Sequence, residues 1–127
     1  MGATKVMIIR HAEKPGIYND QQCTGVRACG VADDKSLVTL GWERGGGLAQ
    51  LFAPSNSQFE HGALCTPSLI YASNPVDAEG KEASQRPYQT ISALAAKANL
   101  VVHTSFDKAS YAAMISHLLA GPEAAAI

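Results

Sequence analysis

The chain has 127 residues, room for one domain and not for two. Its 46% hydrophobic and 17% charged content is that of an ordinary globular protein, and a net charge of −1 leaves no electrostatic footprint for nucleic acid or an anionic membrane. No apolar run is long enough to span a bilayer, and only 6–9 is continuously apolar near the N-terminus, too short for a signal-peptide core. Met1-Gly2 invites a myristoylation reading, but Val6 stands where Ser or Thr is needed. Cys23, Cys29 and Cys65 are an odd count without metal-ligand spacing. A local disulfide between Cys23 and Cys29 is one reading. Free thiols in a reducing compartment, hence a cytoplasmic home, is the expected one.

Taken in order, Val6-Met7-Ile8-Ile9 is predicted to be a strand buried on both faces, as in a parallel sheet covered by helices. It runs straight into Arg10-His11-Ala12-Glu13-Lys14, a charged cluster at the strand's carboxyl end, where open α/β sheets place their ligands. Residues 16–36 read as a long polar loop, either a wall or lid of that site or a solvated connector. A helix is predicted from Thr39, as N-cap, to about Phe52, with Trp42, Leu48, Leu51 and Phe52 inward. Gly45, Gly46 and Gly47 mean either an interruption or close backbone packing. Residues 68–73 form a second strand ending at Ser73, and the polar stretch 74–84 reads as a solvated loop. Gln85-Arg86-Pro87-Tyr88-Gln89-Thr90 opens a second helix with 3.6-residue periodicity through Ile91, Leu94, Ala95 and Ala98, so Arg86 sits at an N-terminus that favours anions. Residues 100–103 make a third strand. A last helix is predicted with Asp107 as N-cap, running through Leu119 to a stop at Gly121-Pro122. His61, His103 and His117 read as surface, rim and structural histidines.

The apolar strand followed by R-H-A-E-K resembles the opening motif of the histidine phosphatase superfamily, whose fold is phosphoglycerate-mutase-like. Val38-Thr39-Leu40-Gly41, the strand ending I-Y-A-S at 70–73, and R-P-Y-Q-T at 86–90 are similar to three further motifs of that superfamily. The resemblance implies one domain over 1–127, α/β in class: three-layer α/β/α with a mostly parallel central sheet, incomplete at its C-terminus. The superfamily's second histidine strand, which lies beside the first strand, has no match here. The chain is therefore expected to be the front part of a larger domain, with 6–9 left as a bare sheet edge.

The same resemblance implies a metal-independent phosphomonoesterase without cofactor. His11 would be the nucleophile, Arg10 and Arg86 would hold the phosphoryl oxygens, and Lys14 and Ser73 would contact substrate. The substrate would be a phosphorylated small molecule or a phosphopeptide. A catalytically impaired phosphate-binding domain and a mutase-type phosphotransferase are the alternatives. No general acid stands out: Glu13, Asp77, Glu79 and Asp107 each read first as structural.

Overall fold

A computed structural model describes residues 4–121 and 125–127. Met1-Gly2 and Pro122, with the acylation and helix-stop readings attached to them, lie outside the described residues. The elements run β1 (Lys5–Val6), β2 (Gly16–Tyr18), β3 (Gln21–Cys23), α1 (Thr39–Phe52), β4 (Ile70–Tyr71), α2 (Arg86–Ala98), β5 (Val102–His103), α3 (Tyr111–Ala120) and β6 (Ala125–Ala126). The chain is a small α/β domain with short strands in two-stranded ladders, and none of the described helices is long and apolar enough to cross a membrane.

The strand pairings that matter for the site are parallel. β4 pairs with β5 through Ile70↔Val102 and Tyr71↔His103, and β1 pairs with β6 through Lys5↔Ala125 and Val6↔Ala126. A parallel bridge, Leu69↔Ala126, joins the two ladders. The Ile127 N–H donates to the Leu69 carbonyl at 3.0 Å, the Ile127 carbonyl accepts from the Tyr71 N–H at 2.8 Å, and the Met7 N–H donates to the Ala126 carbonyl at 2.9 Å. Residues 125–127 thus lie between β1 and β4. One edge of 5–7 is therefore paired, where a bare edge is expected, while among the described residues β1 pairs with no second strand and keeps its other edge open. The pairing joins residues about 120 positions apart, and no local pattern encodes it.

The first strand is also not buried on both faces. Met7 and Ile9 pack against the core, while Val6 is 45% and Ile8 90% exposed. The reason is one-sided cover. α1 and α2 pack on each other, and their Ala49, Phe52, Ile91, Leu94 and Ala95 form one cluster with Ile70, Ala72 and Ile127. Tyr71, which alternates with Ile70 and Ala72, instead meets His117 of α3 edge-on, with centroids 6.3 Å apart.

α1 is continuous through its glycines, so it is not interrupted; of Gly45, Gly46 and Gly47 only Gly45 is closely packed, while Gly41 is close-packed one turn earlier. A Cβ on Gly41 would lie 2.8 Å from the Glu13 carbonyl oxygen, and one on Gly45 would lie 3.0 Å from that of Thr90. Thr39 is the first helical residue, not the cap. Val38 occupies that place without a side-chain cap, held by its N–H to the Glu13 carbonyl at 3.1 Å. Trp42 is only partly buried, its Nε1–H donating to the Val26 carbonyl at 2.8 Å.

α3 begins at Tyr111 and not after Asp107. The Asp107 carboxylate accepts from the Ala109 N–H and the Ser110 hydroxyl, closing a turn of its own before the helix starts. The stretch 16–36 is not all loop. β2 and β3 form an antiparallel hairpin across Asn19 and Asp20, whose φ of 51° and 61° suit a two-residue primed turn. Asn and Asp enter that left-handed region more readily than other side chains.

Candidate functional site

The segment 10–14 leaves β1 and is held from two helices. The Ala12 N–H donates to Thr90 Oγ1 of α2 at 2.9 Å, and the Glu13 carbonyl accepts from Val38 at the head of α1. His11 is half-buried, and its Nδ1 lies 2.8 Å from the Ala12 carbonyl oxygen. A carbonyl oxygen can only accept, so Nδ1 carries the proton of the neutral ring and Nε2 keeps its lone pair. That acceptor could not be named from the sequence.

The stretch Gln85–Thr90 is a junction for three other segments. The Gln85 N–H donates to the Lys35 carbonyl at 2.9 Å, and its side-chain amide donates to the carbonyls of Pro75 and Ala83. Gln89 is buried with both ends of its amide used. Oε1 accepts from the Leu37 N–H at 2.8 Å, and Nε2 donates to the Ser36 hydroxyl oxygen at 2.8 Å. Thr90, 1% exposed, donates from Oγ1 to the Arg86 carbonyl at 2.7 Å. From this stretch the sequence singles out Arg86 alone as a site residue. The missed signal was Gln89-Thr90 lying directly beside the apolar stripe of Ile91 and Leu94, since a buried polar side chain requires partners.

The loop that Gln89 grips holds a carboxylate, Asp33, among several donors. The Ser36 hydroxyl donates to the Asp33 carboxylate, the Lys35 N–H does so at 3.3 Å, and Arg27 Nε lies 3.6 Å away. The Ser36 bond above all, then the Lys35 amide and the charges of Arg27 and Lys35, hold the Asp33 carboxyl below its usual range, although burial pushes the other way.

Two cavities open beside His11. The first, about 200 Å³, is lined by Arg10, His11 and Ser73 at its polar part and by residues such as Ile8, Met114 and Leu118 elsewhere. The second, about 240 Å³, shares Arg10 and His11 and adds Glu13, Lys14 and Tyr18. Arg10 and His11 thus border both cavities, Ser73 only the first and Lys14 only the second. Among the described residues no carboxylate pairs with Arg10 or Lys14.

Arg86 is placed differently from its sequence reading. Pro87 and Thr90 line the first cavity, but Arg86 lines neither. Its Nη1 donates to the Asp34 carbonyl at 3.1 Å, and its Nε is buried without a partner. What joins Arg86 to the site is its backbone, through Thr90. Glu13, the carboxylate nearest the imidazole in sequence, is paired through Oε1 with Arg44 Nε, while its Oε2 is buried and unpartnered. Asp77 is occupied by the N–H groups of Glu79 and Lys81. Cys23, Cys29 and Cys65 are free thiols. Comparison with protein-family models, with curated proteins and with solved structures finds no match to this chain.

Proposed function

We propose that this domain carries out metal-independent phosphomonoester hydrolysis through a phosphohistidine on His11, as the resemblance to histidine phosphatases implies. The observation that carries the reading is the His11 Nδ1 contact with the Ala12 carbonyl, which leaves a lone pair on Nε2 beside two unneutralised cations. Nε2 attacks phosphorus in line, the bond from phosphorus to the ester oxygen breaks, and the departing alkoxide takes its proton from solvent water in the open cavity. Water then cleaves the N–P bond, releasing inorganic phosphate and the free imidazole. Arg10 and Lys14 carry the non-bridging oxygens, and the Ser73 hydroxyl donates a further hydrogen bond. The unpartnered Nε of Arg86 is a donor suited to the same anion once its guanidinium turns from Asp34. The substrate is a phosphorylated small molecule or phosphopeptide. The contact of Tyr71 with α3, on the side away from α1 and α2, supports a three-layer arrangement of the superfamily's kind.

A second reading, a phosphate-binding domain with impaired turnover, is favoured by two contacts: Glu13, which lines the second cavity, is paired with Arg44, and Arg86, which lines neither cavity, is held by the Asp34 carbonyl. One experiment separates the readings. The chain is incubated with a ³²P-labelled phosphomonoester, quenched in alkali and mapped for acid-labile label. Label on His11 that turns over, and is absent from His11→Ala, supports hydrolysis. Saturable binding of vanadate without label supports the binding domain. Neither label nor binding rejects both.

A further inference from the structure

We propose that Thr90 is a positioning residue that sets the tautomer of His11 from the first turn of α2. Three hydrogen bonds in series connect Thr90 to the imidazole. Thr90 Oγ1 donates its one proton to the Arg86 carbonyl four residues back, at 2.7 Å. Its lone pairs are then the groups that can accept the Ala12 N–H, at 2.9 Å. The carbonyl of that same Ala12 accepts the Nδ1–H of His11, at 2.8 Å.

The two peptide units flanking Ala12 are thus both braced. The His11–Ala12 unit is pinned by Thr90. The Ala12–Glu13 unit, which supplies the acceptor, packs on Gly41 of α1 at a point where a Cβ would lie 3.1 Å from the Glu13 nitrogen. Thr90 is 1% and Ala12 6% exposed, so the bond is shielded from bulk water although Thr90 borders the first cavity. Without it, a buried N–H is orphaned and the backbone turns to find another partner. The carbonyl of Ala12 then leaves the imidazole, and the ring reverts to the Nε2–H form that neutral histidine prefers in water. That form has no lone pair on the nitrogen farther from the backbone.

The test reads the tautomer directly. Two-bond ¹H–¹⁵N spectra of the full chain are recorded at a pH where the imidazoles are neutral, with His11 assigned by its loss in His11→Gln. The wild type shows Nδ1–H, Thr90→Val shifts His11 to Nε2–H, and Thr90→Ser, which keeps the hydroxyl, retains Nδ1–H. A folded Thr90→Val that keeps Nδ1–H overturns the proposal, as does a wild type in the Nε2–H form. Where Thr90→Val does not fold, amide exchange in the wild type and Thr90→Ser decides. Protection of Ala12 comparable with the α2 amides supports the role, and exchange at the rate of exposed residues overturns it.

One consequence rests on the phosphoryl-transfer reading: labelling of His11 slows on the order of tenfold to a hundredfold in Thr90→Val, the scale on which partners of a working imidazole act, while half-saturation by substrate is unchanged. A tautomer shift with no labelling of the wild type rejects phosphoryl transfer and leaves the role of Thr90 standing.

Discussion

Asp33 and Gln89 are two side chains whose surroundings make sharp demands. Asp33 has a lowered carboxyl pKa in the folded chain, chiefly through the Ser36 hydroxyl. A carboxylate lowered by folding stabilises the protein above the ordinary carboxylate range, and that contribution is lost as pH falls through the folded value. The stability gap between wild type and Asp33→Asn, from urea midpoints, is therefore expected to hold steady at neutral pH and to shrink below about pH 4. A gap that widens on acidification would contradict the assignment. Gln89 satisfies the Leu37 N–H and the Ser36 oxygen at once. Gln89→Leu is of similar size yet orphans the Leu37 N–H and takes a donor from the Ser36 oxygen, so an unfolding cost of about 1–3 kcal/mol is expected by denaturant titration.

Among the elements, α1 is the one whose sequence looks least helical and whose position is most constrained. Gly41 and Gly45, one turn apart, are where it touches the segment carrying His11 and the first turn of α2. A Cβ on Gly46 or Gly47 would meet nothing within 4 Å. The four positions should separate on substitution by alanine. Gly46→Ala and Gly47→Ala are expected to stabilise by about 0.5–1 kcal/mol, because alanine loses less backbone entropy in a helix. Gly41→Ala forces a methyl group to within 2.8 Å of the Glu13 carbonyl oxygen. A cost of roughly 1–3 kcal/mol is expected, together with changed His11 resonances. Thermal melts of the single variants check the order, and a destabilising Gly46→Ala would show that α1 is not helical there.

At the scale of the whole molecule, the decisive feature is that the β1 segment is covered on one face. Ile9 packs against the core with α1 and α2, while Ile8 is 90% exposed. Ile8→Ser is expected to change stability by no more than about 0.5 kcal/mol, whereas Ile9→Ala costs roughly 1–3 kcal/mol. Equal costs from urea titrations would mean that both faces are buried in solution. The same architecture explains why Arg10 and His11 remain reachable: the strand delivers them past the end of the packed layer, where the two cavities open.

The sequence by itself determined the helices of α1 and α2 and the presence of short apolar strands near 6 and 70, although these end at Val6 and Tyr71 and not at 9 and 73. The helices and strands depend on apolar periodicity and apolar runs, which are local properties. It did not reveal the Asn19-Asp20 hairpin, because those residues permit a left-handed turn without demanding one. Only the tertiary structure decided which side chain meets which. The seating of 125–127 between β1 and β4, the engagement of Arg86 by Asp34 and the bond from Thr90 to Ala12 all join residues far apart in the chain. A donor at position 86 or 90 takes whichever acceptor the fold brings near, and that choice is made only when the helices pack.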